Sequence, residues 1–228
     1  MNRRRALTVI GTVGLTGVAG CVGENGDITA TAFPAAIPTA DQLGYEANGP
    51  EELTIDETVE AGGVERDIRV TTYSVAYADP DGESSVLLFS TPDISVAGFS
   101  VNPLARLSGA DLIARLVDEG LARTDGDFAV SEVEQEDEVT LSILGEERTV
   151  PIFSAVVEAE GSQGAPIEGA ENGEIPVRLY LLSTTHQEDV LLAVGFHPEP
   201  IDASEDIQSL LEGIEHPVES ASGTNQTA

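Results

Sequence analysis

Residues 68–77 alternate without a break. Ile68, Val70, Thr72, Ser74 and Ala76 fall on one face of an extended chain, and Arg69, Thr71, Tyr73, Val75 and Tyr77 on the other. A period of two fits a pleated strand and not a helix. Asp79-Pro80-Asp81-Gly82 follows, a strong turn. Then comes the continuous apolar run Val86-Leu87-Leu88-Phe89, which suits a central, buried strand. Two strands around a tight turn make a hairpin, so the chain is committed to a sheet built from neighbours in sequence.

The same signals recur on both sides. Strands are expected over 28–33, 53–59, 128–133, 139–144, 150–159, 177–183 and 190–196. Pro34 and Pro38 break the first, and Thr39 is expected to cap one helical turn ending at Gly44. Ala61-Gly62-Gly63 and Gly145-Glu146-Glu147 read as turns, and His186-Gln187-Glu188-Asp189 as the tip of a last hairpin. Residues 161–175, rich in Gly, Pro and Ala, read as a mobile loop.

Two segments change to a helical period. Over 108–121, Leu112, Ile113, Leu116 and Val117 form one stripe, Ser108 with Asp111 resembles a capping box, and Gly120 marks the end. Over 204–215, Ile207, Leu210, Leu211 and Ile214 fit i, i+3, i+4, i+7. Asp202 with Glu205 forms a second expected capping box, and His216-Pro217 closes the helix. Each stripe needs a sheet face to cover. The expected class is therefore α+β, a mainly antiparallel sheet covered by two helices. The element order (strand pair, helix, meander, terminal helix) resembles the α/β/α sandwich of the PsbP family of photosystem II.

The N-terminus reads as an address. Arg3-Arg4-Arg5 precedes an uncharged apolar stretch over residues 6–20, the pattern of a secretory leader. The stretch is short and glycine-rich for a spanning helix, which needs about 20 apolar residues. Consecutive arginines there resemble a twin-arginine signal, which exports folded proteins. Val18-Ala19-Gly20-Cys21 looks like a lipobox, where small residues precede a cysteine that takes lipid and becomes the mature N-terminus. Cys21 is the one cysteine of the chain, which excludes a disulfide framework or thiolate metal cluster. The organisation expected is a leader over 1–20, the lipidated cysteine and a short tether over 21–27, one domain over 28–217 and a disordered tail over 218–228. Asn225-Gln226-Thr227 on that tail is a glycosylation sequon at Asn225.

The chain of 228 residues carries 10 basic and 41 acidic side chains, a net charge of −31, and every base is arginine. Such a charge excludes nucleic-acid binding, which needs bases to neutralise phosphates. It also repels itself in dilute buffer. Screening decides whether that matters: the Debye length is about 10 Å at 0.1 M salt and about 3 Å at 1 M. Acid excess, absence of lysine and the twin-arginine pattern together resemble the style of extremely halophilic archaea. Unfolding below roughly 0.5 M salt is the expectation.

Leu43-Gly44-Tyr45, Phe89-Ser90-Thr91-Pro92, Asn102-Pro103-Leu104 and Ile143-Leu144-Gly145-Glu146 resemble stretches of a haloarchaeal lipoprotein family whose domain has no assigned function. The resemblance implies location and fold style and carries over no catalytic residue.

No hydrolase, nucleotide or zinc-protease motif stands out. His186 and His197 lie at opposite ends of one strand, about 36 Å apart if it is straight, and cannot share a metal. With His216 at a helix end, the three histidines read as surface residues. The acidic run Glu132-Val133-Glu134-Gln135-Glu136-Asp137-Glu138 lacks the spacing of a calcium loop and reads as a solvated face. Asn102-Pro103-Leu104 reads as a turn. No catalytic residue is marked out, and neither a metal nor a cofactor is implied. The expected partners are membrane lipid through Cys21 and an unidentified protein or small molecule. The reading favoured is a lipid-anchored, non-catalytic binding or assembly module on the outer face of the cell membrane. An exported carboxylate-dependent hydrolase is the alternative.

Overall fold

The computed structural model describes residues 20–22, 27–61, 64–96, 99–100, 107, 109–121, 127–160 and 174–218. In chain order the elements are β1 (Gly20–Val22), β2 (Ile28–Thr31), a 3-10 turn (Ala40–Leu43), β3 (Glu46–Ala61), β4 (Val64–Ala78), β5 (Ser85–Pro92), β6 (Ser95–Val96), β7 (Phe99–Ser100), α1 (Gly109–Leu121), β8 (Asp127–Ile143), β9 (Glu146–Glu160), β10 (Glu174–His186), β11 (Asp189–Pro198) and α2 (Ser204–Glu212). Nine strands form one sheet in the order β1-β2-β4-β5-β11-β10-β9-β8, with β3 on the other edge of β4. Strands β6 and β7 form a separate two-stranded ribbon.

The sheet is mixed. Every pairing is antiparallel except β2 with β4, which is parallel (Ile28 opposite Ile68). β4 organises that half of the molecule. β3 follows one of its edges for nearly its whole length. The other edge is shared: residues 68–71 pair with β2 and residues 73–78 with β5.

These observations overturn the expected helix-covered α+β sandwich, and with it the PsbP-like arrangement. The reason is length. α1 has 13 residues and α2 has 9, so they span about 20 and 14 Å. β4, β8 and β9 have 15, 17 and 15 residues and reach roughly 50 Å when extended. Two helices that short cannot cover such a sheet. The strands are longer than expected because the acidic residues between the apolar segments continue the chain in extended form. Residues 128–133 and 139–144, read as two strands, are one strand, β8. Register shifts at Ser131/Glu134 and Gln135/Asp137 interrupt its ladder, and Glu132 takes a positive φ of 53°. Such bulges bend a strand.

The bend closes the core. β10 pairs with β9 only over residues 152–158, so the far half of the β8–β9 hairpin extends past it. There Leu141, Ile143 and Val150 join Ile207, Leu210 and Leu211 of α2 in one buried cluster. The Ser142 N–H donates to Glu212 Oε1 at 3.1 Å. The same cluster continues to Val75, Tyr77, Val86, Leu88, Tyr180, Leu182, Leu191 and Ala193 on one sheet face. Gly195 lets the helix approach: a Cβ there would stand 2.5 Å from Ile207 Cγ2. The other face buries Phe89, Phe153, Leu179, Leu192 and Val194 beneath Leu112 and Ile113 of α1.

Local signals held in part. Gly44 ends the 3-10 turn in the left-handed region, φ 90°, but Thr39 makes no side-chain cap. α2 starts after Ala203, without a side-chain cap, so the Asp202–Glu205 capping box is not formed. Ser108, residues 161–173 of the expected loop and Asn102-Pro103-Leu104 lie outside the described residues, while residues 174 and 175 of that loop begin β10 instead. No helix among the described residues is long and apolar enough to cross a membrane.

Candidate functional site

The sheet face under α2 carries a row of polar side chains near the β10–β11 turn. Their placement follows from register. Gln187 and Glu188 form a two-residue turn, with Gln187 at φ 55°, so His186 and Asp189 stand directly opposite each other. β11 pairs with β5 so that Leu191 is opposite Ser90, which puts Ser90 diagonal to Asp189 on the same face. His216 arrives from the far end of the chain. After α2, Glu215 and Ala36 exchange two backbone hydrogen bonds, Ala36 N–H to Glu215 O at 3.1 Å and Glu215 N–H to Ala36 O at 2.8 Å. That bridge lays His216 over the row.

Asp189 is 2% exposed and His216 7%. A buried carboxylate needs donors. Asp189 Oδ2 has two: the Phe33 N–H at 2.7 Å and His216 Nε2 at 3.0 Å. The second contact requires the proton of His216 to sit on Nε2. Ser90 Oγ lies 3.4 Å from that same nitrogen. On the other side of the ring, His216 Nδ1 is 3.0 Å from His186 Nδ1, one nitrogen donating and the other accepting. The two rings meet edge to face, with centroids 5.3 Å apart. His186 is half-buried and forms the outer end of the chain of contacts.

Ser90, His216 and Asp189 are the residue types of a hydrolytic triad, but not its geometry. A triad places the carboxylate on Nδ1–H and leaves Nε2 free to take the serine proton. Here the carboxylate and the serine share Nε2, which already carries a proton, so it cannot act as the base for Ser90. The network ties together β5, β11, the β10 end, the segment after β2 and the segment after α2. Metal binding fares no better: no group of three or more His, Cys, Asp or Glu that could hold an ion occurs among the described residues.

The expectation of three surface histidines fails for two. His197 is 3% exposed, with Nδ1 donating to the Pro198 carbonyl at 2.9 Å. It stands opposite Arg178 at the far end of the β10–β11 hairpin, so His186 and His197 remain well separated. Sequence reasoning missed the His216–Asp189 pair. The H-Q-E-D hairpin already fixes His186 opposite Asp189, but nothing local shows that a residue 27 positions later returns to them.

Tyr77 and Tyr45 are two of the three buried tyrosines clustered with the same helix. The Tyr77 oxygen accepts the Ile37 N–H at 2.7 Å, and burial pushes its pKa above the usual 10. Burial also raises Tyr45, whose hydroxyl bonds Ser84; the Ser84 bond lowers it, and Asp206 and Asp79 raise it further.

Beyond the core, β2, β3 and β4 form an open groove of about 430 Å³ lined by Asp27, Thr29, Asp56, Thr58, Asp67 and Arg69. Arg69 Nε bonds Asp56 Oδ1 at 2.7 Å and Thr58 Oγ1 donates to Asp67 Oδ1 at 2.8 Å. Both sides of the ion pair are exposed, and pairs of that kind contribute about 0–1 kcal/mol. The acidic run over 132–138 lies along β8 with Glu132, Glu134, Glu136, Asp137 and Glu138 exposed; Glu136 approaches Arg178 at 3.7 Å.

Of the leader residues, Gly20 and Cys21 have described backbones, paired in β1 with Ala30 and Thr29 of β2. Arg3, Arg4, Arg5, Val18, Ala19 and Asn225 lie outside the described residues. A family model described as "Domain of unknown function (DUF6517)" matches residues 34–215. That span contains Ser90, His186 and Asp189 and stops one residue short of His216. No curated protein matches the chain.

Proposed function

Because the chain belongs to the family of the domain of unknown function DUF6517, which brings no activity with it, we propose a function from its own residues. It is an exported haloarchaeal lipoprotein, held through Cys21 on the outer face of the cell membrane. It serves there as a non-catalytic binding or assembly module in molar salt. One observation carries this reading: Arg3-Arg4-Arg5, an apolar stretch, and Val18-Ala19-Gly20 before the single cysteine follow one another in the order that export and lipidation need.

Two further features support it. Residues 1–20 hold three of the ten bases, so the part from Cys21 onward has seven bases against 41 acids, a balance suited to screened charge. The backbone of Cys21 pairs with β2, so a lipid there would leave from the edge of the domain and not from a long stalk. The serine–histidine–aspartate contacts are buried and wrongly arranged for attack by Ser90, so they supply no serine-hydrolase reading in its place.

The test is mass spectrometry of the protein purified from its native membrane, with a Cys21→Ser variant beside it. A lipid adduct on the Cys21 peptide, and release of the variant into the medium, are expected. An unmodified Cys21 with the leader still attached would refute the anchor. Co-purifying proteins name the partner, and turnover of a glycoside or ester in molar salt would replace the module by the hydrolase.

A further inference from the structure

We propose that Phe33 is a second membrane contact, an aromatic side chain that dips into the lipid surface beside the Cys21 anchor. The inference rests on the anchor reading above. Among the described residues, Phe33 and Leu43 are the large apolar side chains left exposed, at 42% and 38%. They do not form a patch. Phe33 follows β2 beside the middle of β4, where the Ala32 N–H bonds the Thr71 carbonyl. Leu43 sits by Tyr45, whose hydroxyl reaches Ser84 at the β4–β5 turn. Thr71 and Ala78 are seven residues apart on β4, about 23 Å, so the two side chains lie well apart along the sheet.

Only the Phe33 end lies at the anchor. β1 runs antiparallel to β2, with Cys21 opposite Thr29 and Gly20 opposite Ala30. A mature N-terminus at Cys21 therefore points along β2 toward Phe33. Four residues separate Thr29 from Phe33, about 13 Å of extended chain. The headgroup layer of one leaflet is about 5–7 Å deep. The lipid leaves Cys21 in the direction of Phe33, so with Cys21 at the headgroup level Phe33 lies on the membrane side of it.

Phe33 is also held in place. Its N–H is fixed on the buried Asp189 carboxylate at 2.7 Å, and the neighbouring Pro34 carbonyl accepts the Val218 N–H at 2.9 Å. The network under α2 thereby acquires a use, which is to hold this turn rigid. Molar salt screens the acidic surface, so an apolar contact is the interaction that remains.

The chain has no tryptophan, so Phe33→Trp and Leu43→Trp are each single reporters. The lipidated proteins are purified and reconstituted in molar potassium chloride into phosphatidylcholine vesicles brominated on the acyl chains. Expected are blue-shifted emission and strong quenching for Phe33→Trp, and water-like, unquenched emission for Leu43→Trp. Water-like, unquenched emission from Phe33→Trp overturns the inference. A blue shift that needs no vesicles and grows with protein concentration also overturns it, assigning Phe33 to a contact between copies. If Trp perturbs the fold by circular dichroism, Phe33→Cys with a polarity-sensitive dye gives the same readout, Cys21 being blocked by its lipid. A Cys21→Ser protein that stays with the membrane strikes the anchor reading itself. Release of that variant, with unquenched Phe33→Trp in the anchored protein, strikes this inference alone.

Discussion

Removing the Asp189 carboxylate should cost the fold more than any other single polar change under α2. Asp189→Ala leaves two buried donors, the Phe33 N–H and the His216 Nε2–H, without an acceptor. Each orphaned donor costs about 1–3 kcal/mol, so the two together cost about 2–6 kcal/mol. We take about 4 kcal/mol, which for a domain of this size is roughly 8–16 °C in Tm. Asp189→Asn keeps an acceptor and loses the charge assistance, so about half that loss is expected. His216→Ala leaves Asp189 with the Phe33 N–H as its remaining donor of the two and should cost about 2–3 kcal/mol. The double variant separates a network from two independent defects. With both groups gone, one buried N–H is left unpaired at about 1–3 kcal/mol, against about 6–7 kcal/mol for the sum of the two single changes, so a coupling of about 3 kcal/mol or more is expected. Urea unfolding in molar potassium chloride, followed by circular dichroism, measures all four variants. Additivity within about 0.5 kcal/mol, or an Asp189→Ala protein as stable as the parent, would refute the reasoning.

Three other outcomes follow from the packing and charge. Gly195→Ala drives a methyl to 2.5 Å from Ile207 Cγ2 and should cost about 1–3 kcal/mol; thermal melts should show that penalty shrink in an Ile207→Ala background, and an equal penalty in both would be wrong for direct contact. Tyr77 and Tyr45 bind their protons more tightly when folded, so the native state holds more protons than the unfolded chain above pH 10, and stability falls as pH rises from there. A Tyr77→Phe variant should be less stable at neutral pH, with the Ile37 N–H unpaired, yet show a shallower alkaline loss in a pH series of melts. A salt titration by circular dichroism should lose sheet signal below roughly 0.5 M, and full structure in dilute buffer would sink the halophilic reading.

The residues explain which parts of this architecture can be read from sequence. Alternation over 68–77 and the Asp79–Gly82 turn are local, and β4, β5 and their hairpin follow from them. The same holds for the His186–Asp189 tip. The extent of the sheet was hidden because Glu134, Gln135, Glu136, Asp137 and Glu138 have no apolar face to betray a strand. Bulged backbone, not composition, joins the two halves of β8 there. The parallel β2–β4 pair leaves no local mark either, since β2 reaches β4 across the whole β3 excursion. The buried network needs contacts across 126 and 156 residues, a range at which no spacing rule operates. Gly195 carried a faint signal: a glycine inside an apolar strand marks a close approach, and here α2 makes it.

The proposed setting changes what protects the edges of the sheet. β1, β3 and β8 each pair on one side only, and an unpaired edge invites another strand. The two long edge strands carry exposed acids: Glu46, Glu51, Glu52 and Asp56 on β3, and Glu132, Glu134, Glu136, Asp137 and Glu138 on β8. Two such edges meeting would sit about 4.8 Å apart. With a 10 Å Debye length about three fifths of their repulsion survives, but with 3 Å only about a fifth does. Charge alone is then a poor guard in molar salt. The backbone supplies guards that salt does not weaken: Pro50, which has no N–H to offer, stands at the register shift between Asn48 and Glu51 on β3. On β8 the two irregularities fall within the acidic run itself. The same irregularities that interrupt the ladder beside α2 also break the regular edge that β8 exposes, so one feature shapes the core side of the hairpin and blunts its outer edge.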